Sequence, residues 1–307
     1  MSNNPFQSVI QLNLPSPLQR LSSPLFDEKQ VAFFVKRDDL IHSQLSGNKW
    51  RKLKYNLLEA KKKNYKTILT FGGAYSNHIH ATAAVGKIFG FHTIGVIRGE
   101  AYETLNPTLA FVTKQGMELD YLPRKTYRDK NTPRVMELLK AKHGNFYSVP
   151  EGGSNRLALP GCAEIIHELN EQLDDNVDYV CTACGSGGTL AGLISAKSSH
   201  KLLGFAVLKG AGFLIDDVKT LLQNNDTNNW QILLDYHFGG YAKKDQLLTE
   251  FCEQFQQTHN IPIEPIYTGK MFYGLFDLIA KDYFPKNSSI VAIHTGGLRT
   301  TQHNFRK

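Results

Sequence analysis

Residues 177–189, Val177-Asp178-Tyr179-Val180-Cys181-Thr182-Ala183-Cys184-Gly185-Ser186-Gly187-Gly188-Thr189, decide the fold. The apolar run Val177 to Cys181 reads as a short strand, the glycines as a tight turn, and residues 189–198 as a helix. The same unit recurs on both sides. Trp50, Leu53, Leu57 and Ala60 fall at helical spacing, and Thr67 to Phe71 is a short apolar strand ending at Gly72-Gly73. A helix from near Ser76 to about Phe89 and a strand from His92 to Ile97 come next, followed by helix 106–115, strand Leu119 to Leu122, helix 131–142 and strand Phe146 to Val149. After helix 158–173 and the 177–189 unit come strand Leu202 to Leu208, helices near 212–222, 244–258 and 270–282, and strand Ile290 to His294. Strands separated by helices of this length must run parallel, because the crossover returns each strand to the same end of the sheet. The expected class is α/β.

A chain of 307 residues favours about two domains. With 41% hydrophobic and 21% charged residues it has the composition of a globular protein, and no apolar run approaches the roughly 20 residues that span a bilayer. Met1-Ser2-Asn3-Asn4-Pro5 lacks the charged start and apolar stretch of a signal peptide, so a cytoplasmic protein is expected. The net charge is +7, but lysine is spread along the chain without zinc-finger spacing or an aromatic RNA-binding signature. Neither a nucleic-acid nor a membrane partner is expected. Cys181 and Cys184 have C-x-x-C spacing, which fits redox chemistry or half a zinc site. No second pair completes a tetrahedral site, and the apolar run before Cys181 favours buried thiols.

In parallel sheets, ligands bind where the carboxyl ends of strands lead into helices. Four segments qualify: 46–49, 72–77, 184–189 and 294–297. Gly185 to Thr189 can cradle a phosphate, since glycine lets backbone N–H groups approach an anion and a helix N-terminus attracts it. Leu190 stands where a dinucleotide fingerprint needs glycine, and no Gly-Lys-Ser/Thr follows. A ligand-free glycine turn is the alternative. The segment Leu45-Ser46-Gly47-Asn48-Lys49-Trp50-Arg51-Lys52-Leu53-Lys54 is either a solvated cationic face or the seat of a reactive amine. On a helical wheel Lys49 lies about 60° from the apolar stripe, Lys54 about 80° and Lys52 about 120°. Lys49 also sits at the helix start, where dipole and neighbouring cations depress an amine's pKa. Ser76 and Asn77 fit a helix cap or a ligand-facing pair. His78 and His80 would point about 160° apart on a helix, so no shared metal is expected.

Taken in order, Ser46-Gly47-Asn48-Lys49-x-Arg51-Lys52-Leu53-x-Tyr55, Gly72-Gly73-x-x-Ser76-Asn77-His78, Gly185 to Thr189, Tyr267-Thr268-Gly269-Lys270 and His294-Thr295-Gly296-Gly297 resemble the 1-aminocyclopropane-1-carboxylate (ACC) deaminase / D-cysteine desulfhydrase family. These are pyridoxal-phosphate (PLP) enzymes with the tryptophan-synthase-β-like fold. The resemblance implies two open, twisted, mostly parallel sheets flanked by helices. One lies in a large domain (1–50 and 157–307) and the other in a small domain (51–156). It implies that Lys49 forms the Schiff base with PLP and that Ser76 acts in proton transfer or as a nucleophile over the substrate. Asn77 would bond the cofactor's 3'-oxygen, while Gly185, Ser186, Gly187, Gly188 and Thr189 would hold its phosphate. Thr295 would lie near the pyridine ring, and Tyr267 and Tyr241 would be the active-site tyrosines. Ser76, Asn77 and His78 would face the substrate, and the protein would be a homodimer. Two positions favour the desulfhydrase branch: Thr268, where the deaminase branch carries Glu, and His78, where it carries Gln. Trp50 and the segment 155–161 depart from the family pattern. The expected activity is α,β-elimination from D-cysteine; the alternatives are ACC deamination and, in a different class, a phosphate-binding or redox protein.

Overall fold

The computed structural model describes residues 6, 9–45, 47–101, 103–174, 177–223 and 227–298. Met1–Pro5 and Ser46, used above, lie outside them. In chain order the elements begin with β1 (Leu18–Leu21), α1 (Pro24–Lys29), β2 (Ala32–Lys36), α2 (Asn48–Lys62), β3 (Thr67–Gly72), α3 (Asn77–Phe89), β4 (His92–Arg98) and α4 (Pro107–Lys114). There follow β5 (Met117–Leu122), α5 (Arg124–Arg128), α6 (Pro133–His143), β6 (Tyr147–Val149), α7 (Leu159–Leu173), β7 (Tyr179–Cys184) and α8 (Gly188–Ser195). The chain continues through β8 (Lys201–Ala206), α9 (Phe213–Leu222), β9 (Trp230–Leu233), α10 (Gln246–His259), α11 (Thr268–Ala280) and β10 (Ser289–Ile293). Two compact units result: Met1–Leu12 with Lys49–Ala158, and Asn13–Asn48 with Leu159–Lys307.

The larger unit holds a six-stranded sheet in the order β1-β2-β10-β7-β8-β9, parallel except for β1 at its edge. Alternate residues of each strand feed opposite faces, as the pleat requires. Phe33, Cys181, Phe205 and Ile290 pack under α10 and α11, whereas Val180, Cys184, Leu202 and Val291 pack under α7, α8 and α9. Cys181 and Cys184 therefore belong to opposite faces of β7. Both are buried and reduced, and burial raises the Cys181 thiol far above its usual range. The smaller unit holds a four-stranded parallel sheet, β5-β4-β3-β6, covered on its two faces by α6 and by α3 with α4.

The α/β class and its two sheets were legible, but three strands of the larger sheet were not. β1, β2 and β9 were absent from the sequence reading, and β7 is displaced from the expected Val177–Cys181 to Tyr179–Cys184. β2 is only five residues long and lies between the four-residue β1 and β10, which is some 250 residues later, so little local marks it.

Both sheets have a point where the strand order reverses, and connections leave it in opposite directions there. In the larger sheet this is between β10 and β7; in the smaller it is between β3 and β6. A crevice at the carboxyl ends of the strands follows from that topology.

Close helix packing makes the larger unit testable. A Cβ at Gly192 would lie 2.2 Å from Cys162 Cβ, where α8 crosses α7. Gly192→Ala should cost about 1–3 kcal/mol by overpacking, read as a lower urea midpoint. An unchanged midpoint would show that the helices are not held this closely.

Candidate active site

In the larger unit, the carboxyl end of β7 opens into Gly185–Gly187 and that of β10 into His294–Gly297, so two of the four expected segments flank the reversal point. Gly187 caps α8 in a left-handed conformation (φ +69). A Cβ at Gly185 would stand 2.9 Å from the Tyr267 ring, which packs on the bare backbone of the loop. Thr189 is buried, and its Oγ1 accepts from Asn48 Nδ2 at 3.0 Å. Asn48 N–H in turn donates to the Thr295 carbonyl at 3.4 Å. Gly47 (φ +45) has no room for a side chain, because a Cβ there would meet that carbonyl oxygen at 2.5 Å. The residue before Lys49 is thus pinned to both loops of the larger sheet.

Lys49, second residue of α2, is half-buried. Arg51, Lys52 and Lys54 are all buried, which overturns the solvated-face reading of this run. Lys52 Nζ donates to Ser154 Oγ at 3.1 Å and the Gly152 carbonyl at 3.4 Å, and Lys54 lies over the Tyr55 ring.

In the smaller unit the reversal point carries Ser76, Asn77 and His78 after β3, and Gly152–Ser154 after β6. Ser76 Oγ caps α3, accepting from the N–H groups of His78 (3.2 Å) and Ile79 (3.3 Å), and keeps its own proton for another acceptor. Asn77 is the first residue of α3 and half-buried. His78 turns inward. Thr70 Oγ1 donates to the Val149 carbonyl, so at 2.7 Å it accepts from His78 Nε2–H. Burial and then the charges of Lys49 and Lys52 hold the imidazole neutral, well below its usual pKa. Its Nδ1 faces Gly153 with no partner among the described residues. His80 stacks on Phe111 instead (3.6 Å, 11°), so the two histidines serve different neighbours.

Tyr267 O–H donates to Tyr241 Oη at 3.1 Å. Glu264, fully buried, accepts from the N–H groups of Ile266, Tyr267 and Thr268 and from Thr268 Oγ1, while Thr268 Oγ1 accepts from Glu264 N–H. This reciprocal cap satisfies amides that the first turn of α11 leaves unpaired, and it fixes Tyr267. The sequence reading missed Glu264 and Thr70, and held Asn48 as a motif residue without a role. A lone acid four residues before a threonine gives only a faint cap signal, and Thr70 gives none.

In the larger unit the donor set fits an organic phosphate: a glycine loop that a Cβ would fill and a helix start with a threonine. The chain belongs to a family of enzymes that use such a group, since the model of the family "Pyridoxal-phosphate dependent enzyme" matches residues 9–296. Within that family it is 33% identical to a Thermotoga maritima protein provisionally named 1-aminocyclopropane-1-carboxylate deaminase, over 94% of this chain and 96% of that one. It is 31% identical to the mitochondrial bifunctional D-cysteine desulfhydrase/1-aminocyclopropane-1-carboxylate deaminase of Arabidopsis thaliana, over 93% of this chain and 77% of that one. A crystal structure described as an ACC deaminase homologue superposes with TM-score 0.81 at 29% identity, covering 98% and 97% of the two chains. A hydrogen sulfide-producing enzyme of Fusobacterium nucleatum shares the fold at TM-score 0.71 and 17% identity, over 94% and 95%.

Burial outweighs the amides around Glu264 and raises its pKa to about 7. A carboxyl raised on folding binds its proton more tightly in the native state. Its stabilising contribution is therefore full below about pH 4.5 and lost as pH rises through about 7. Glu264→Gln should flatten that fall in unfolding free energy while costing about 1–3 kcal/mol at every pH through mispaired amides. Urea titrations across this range read both effects.

Proposed function

We propose that the protein is a PLP-dependent lyase acting on a small amino acid, with D-cysteine or a close analogue as substrate and pyruvate, ammonia and sulfide as products. The observation that carries this reading is the Tyr267–Tyr241 hydroxyl pair, held 3.1 Å apart with the Tyr267 ring on Gly185 of the glycine loop. Lys49 Nζ would carry the cofactor, and Gly185, Ser186, Gly187, Gly188 and Thr189 would hold its phosphate. Asn77 would bond its 3'-oxygen, and Thr295 would lie by its ring. When bound, PLP supplies an aldehyde that exchanges amines and an electron sink for charge at Cα.

Ser76 Oγ already accepts from two amides, so it donates its proton outward and suits the substrate's polar end. That leaves the Lys49 amine to take the Cα proton. Two tyrosine hydroxyls have two protons for one mutual hydrogen bond, so one proton is left for the departing sulfur. His78, turned into its own unit, would act on the substrate by fixing the start of α3, which carries Asn77. One water then completes the release of pyruvate and ammonia.

The preference for D-cysteine over ACC rests on Thr268 and His78. ACC deamination to 2-oxobutanoate and ammonia is the second reading, favoured by the name of the Thermotoga relative, while the name of the Arabidopsis relative carries both activities. We further infer a homodimer in the cytoplasm. The homodimer rests on the family likeness; the compartment is supported by four free buried cysteines and, among the described residues, no helix long and apolar enough to cross a membrane.

Purified protein should be yellow, release sulfide and pyruvate from D-cysteine, and make no 2-oxobutanoate from ACC. The reverse product pattern would transfer the assignment to the second reading. Lys49→Ala should abolish the absorbance of the lysine-bound cofactor and lower turnover by roughly 10³-fold or more. Retention of that absorbance would remove Lys49 from its role.

A further inference from the structure

A second buried amine lies in the larger unit, and nothing in the reaction above uses it. Lys270, in the first turn of α11, has no exposed surface. Its Nζ donates to the carbonyl oxygens of Gly240 (2.7 Å), His237 (2.8 Å) and Val207 (3.3 Å). An ammonium has three N–H donors, and here three backbone oxygens surround it. Burial lowers its pKa to about 8, with the Glu264 charge acting in the opposite sense, so the amine is kept charged at neutral pH by its surroundings rather than by water.

Two of the three carbonyls belong to a loop of strained backbone. Phe238 (φ 50), Gly239 (φ 83), Gly240 (φ 122) and Ala242 (φ 55) all have positive φ, a strained state for the phenylalanine and the alanine. The turn hydrogen bonds within it are Gly240 N–H to His237 O, Lys243 N–H to Gly240 O and Gly239 N–H to His237 Nδ1. Tyr241, the next residue after Gly240, meets Tyr267 edge-on with ring centroids 5.8 Å apart. Tyr267 precedes Lys270 by three residues and is itself fixed by Glu264. One helix turn therefore carries Tyr267 and also grips the loop that carries Tyr241.

We propose that Lys270 is a positioning residue that sets the Tyr241 hydroxyl against Tyr267 by binding the loop's backbone carbonyls. This rests on the reading of the two tyrosines as the group that serves the leaving sulfur. A side chain that only filled space would be replaceable by an apolar one of its length. Lys270 is not, because its removal takes a charged donor from three backbone carbonyls, leaves those of His237 and Gly240 with only their turn hydrogen bonds, and frees strained backbone.

The test uses the holoenzyme and two independent readouts. Trypsin cleavage after Lys243 or Lys244, beside the loop, should accelerate about tenfold in Lys270→Ala and slow again when methylammonium is added to refill the cavity. This readout needs no substrate, so it stands if the assigned reaction proves wrong. In turnover of D-cysteine, Lys270→Ala should lower kcat roughly 100-fold with KM little changed, and methylammonium should restore much of it. In a Tyr241→Phe background the same substitution should lower kcat no further, since its effect passes through Tyr241. Lys270→Gln, which keeps two donors in the same space, should fall between wild type and Ala and serves if the Ala variant does not fold. Unaltered cleavage, or losses from Lys270 and Tyr241 that simply multiply, would overturn the proposal. Accelerated cleavage in Lys270→Ala with no turnover of D-cysteine by any variant, wild type included, would instead overturn the assigned reaction and leave the grip on the loop standing.

Discussion

Asn48 is the constraint that joins the loops of the larger sheet. Its side chain holds Thr189 at the start of α8, and its amide holds the carbonyl of Thr295 beyond β10. The loops so joined come from strands adjacent in the larger sheet but more than a hundred residues apart in sequence. The chain passes from the larger unit to the smaller between Asn48 and Lys49. The last residue of the larger unit's first segment is therefore fixed on both sides of that sheet's reversal point. Substituting this asparagine by an apolar residue would leave Thr189 Oγ1 without its donor inside a buried turn, a cost of about 1–3 kcal/mol by itself.

Parallel sheets explain why such loops gather. Each strand must be reached by a crossover, so all strands point the same way and their carboxyl ends share one edge. Each unit applies the rule independently. In the larger, the reversal places a glycine loop beside His294–Gly297; in the smaller, it places the capped turn at Ser76 beside Gly152–Ser154. Polar side chains at both edges are satisfied by backbone atoms: Lys52 by a carbonyl, Ser76 by amides, Glu264 by amides and Lys270 by carbonyls. Backbone partners cannot be removed by substitution and do not change rotamer. An active site gains rigid placement from them, at the expense of burying charges that cost several kcal/mol each to desolvate.

What was readable in the sequence follows the range of the signal. Alternation of apolar strands with helices is local, and from Thr67 onward it located nearly every element. The glycine loop at 185–188 and the Ser76 cap are likewise spelled out within a few residues. β2 failed because Ala32–Lys36 is a five-residue strand whose neighbours are the four-residue β1 and the distant β10. The basic run after Gly47 was ambiguous for the same reason. Lys52 is buried by a turn a hundred residues away, and no helical wheel contains that turn. Lys270 was visible as a motif letter, but its three acceptors are carbonyls, which any sequence possesses.

Thr268 shows how one buried acid constrains its neighbours. The resemblance sets Glu at this position in the deaminase branch and reads its replacement as a change in the pull on the cofactor's ring. The structure gives the threonine a second occupation: its hydroxyl donates to Glu264 and accepts from the Glu264 amide. A glutamate at 268 would bring a second carboxylate against one that is fully buried, already short of solvent and raised to about 7. Two such groups within contact cannot both ionise, so one would have to take up a proton or leave the cap. With Glu264 as the cap of α11, an uncharged hydroxyl at 268 completes the cap without adding charge. The same buried carboxylate thus holds both Thr268 and Tyr267.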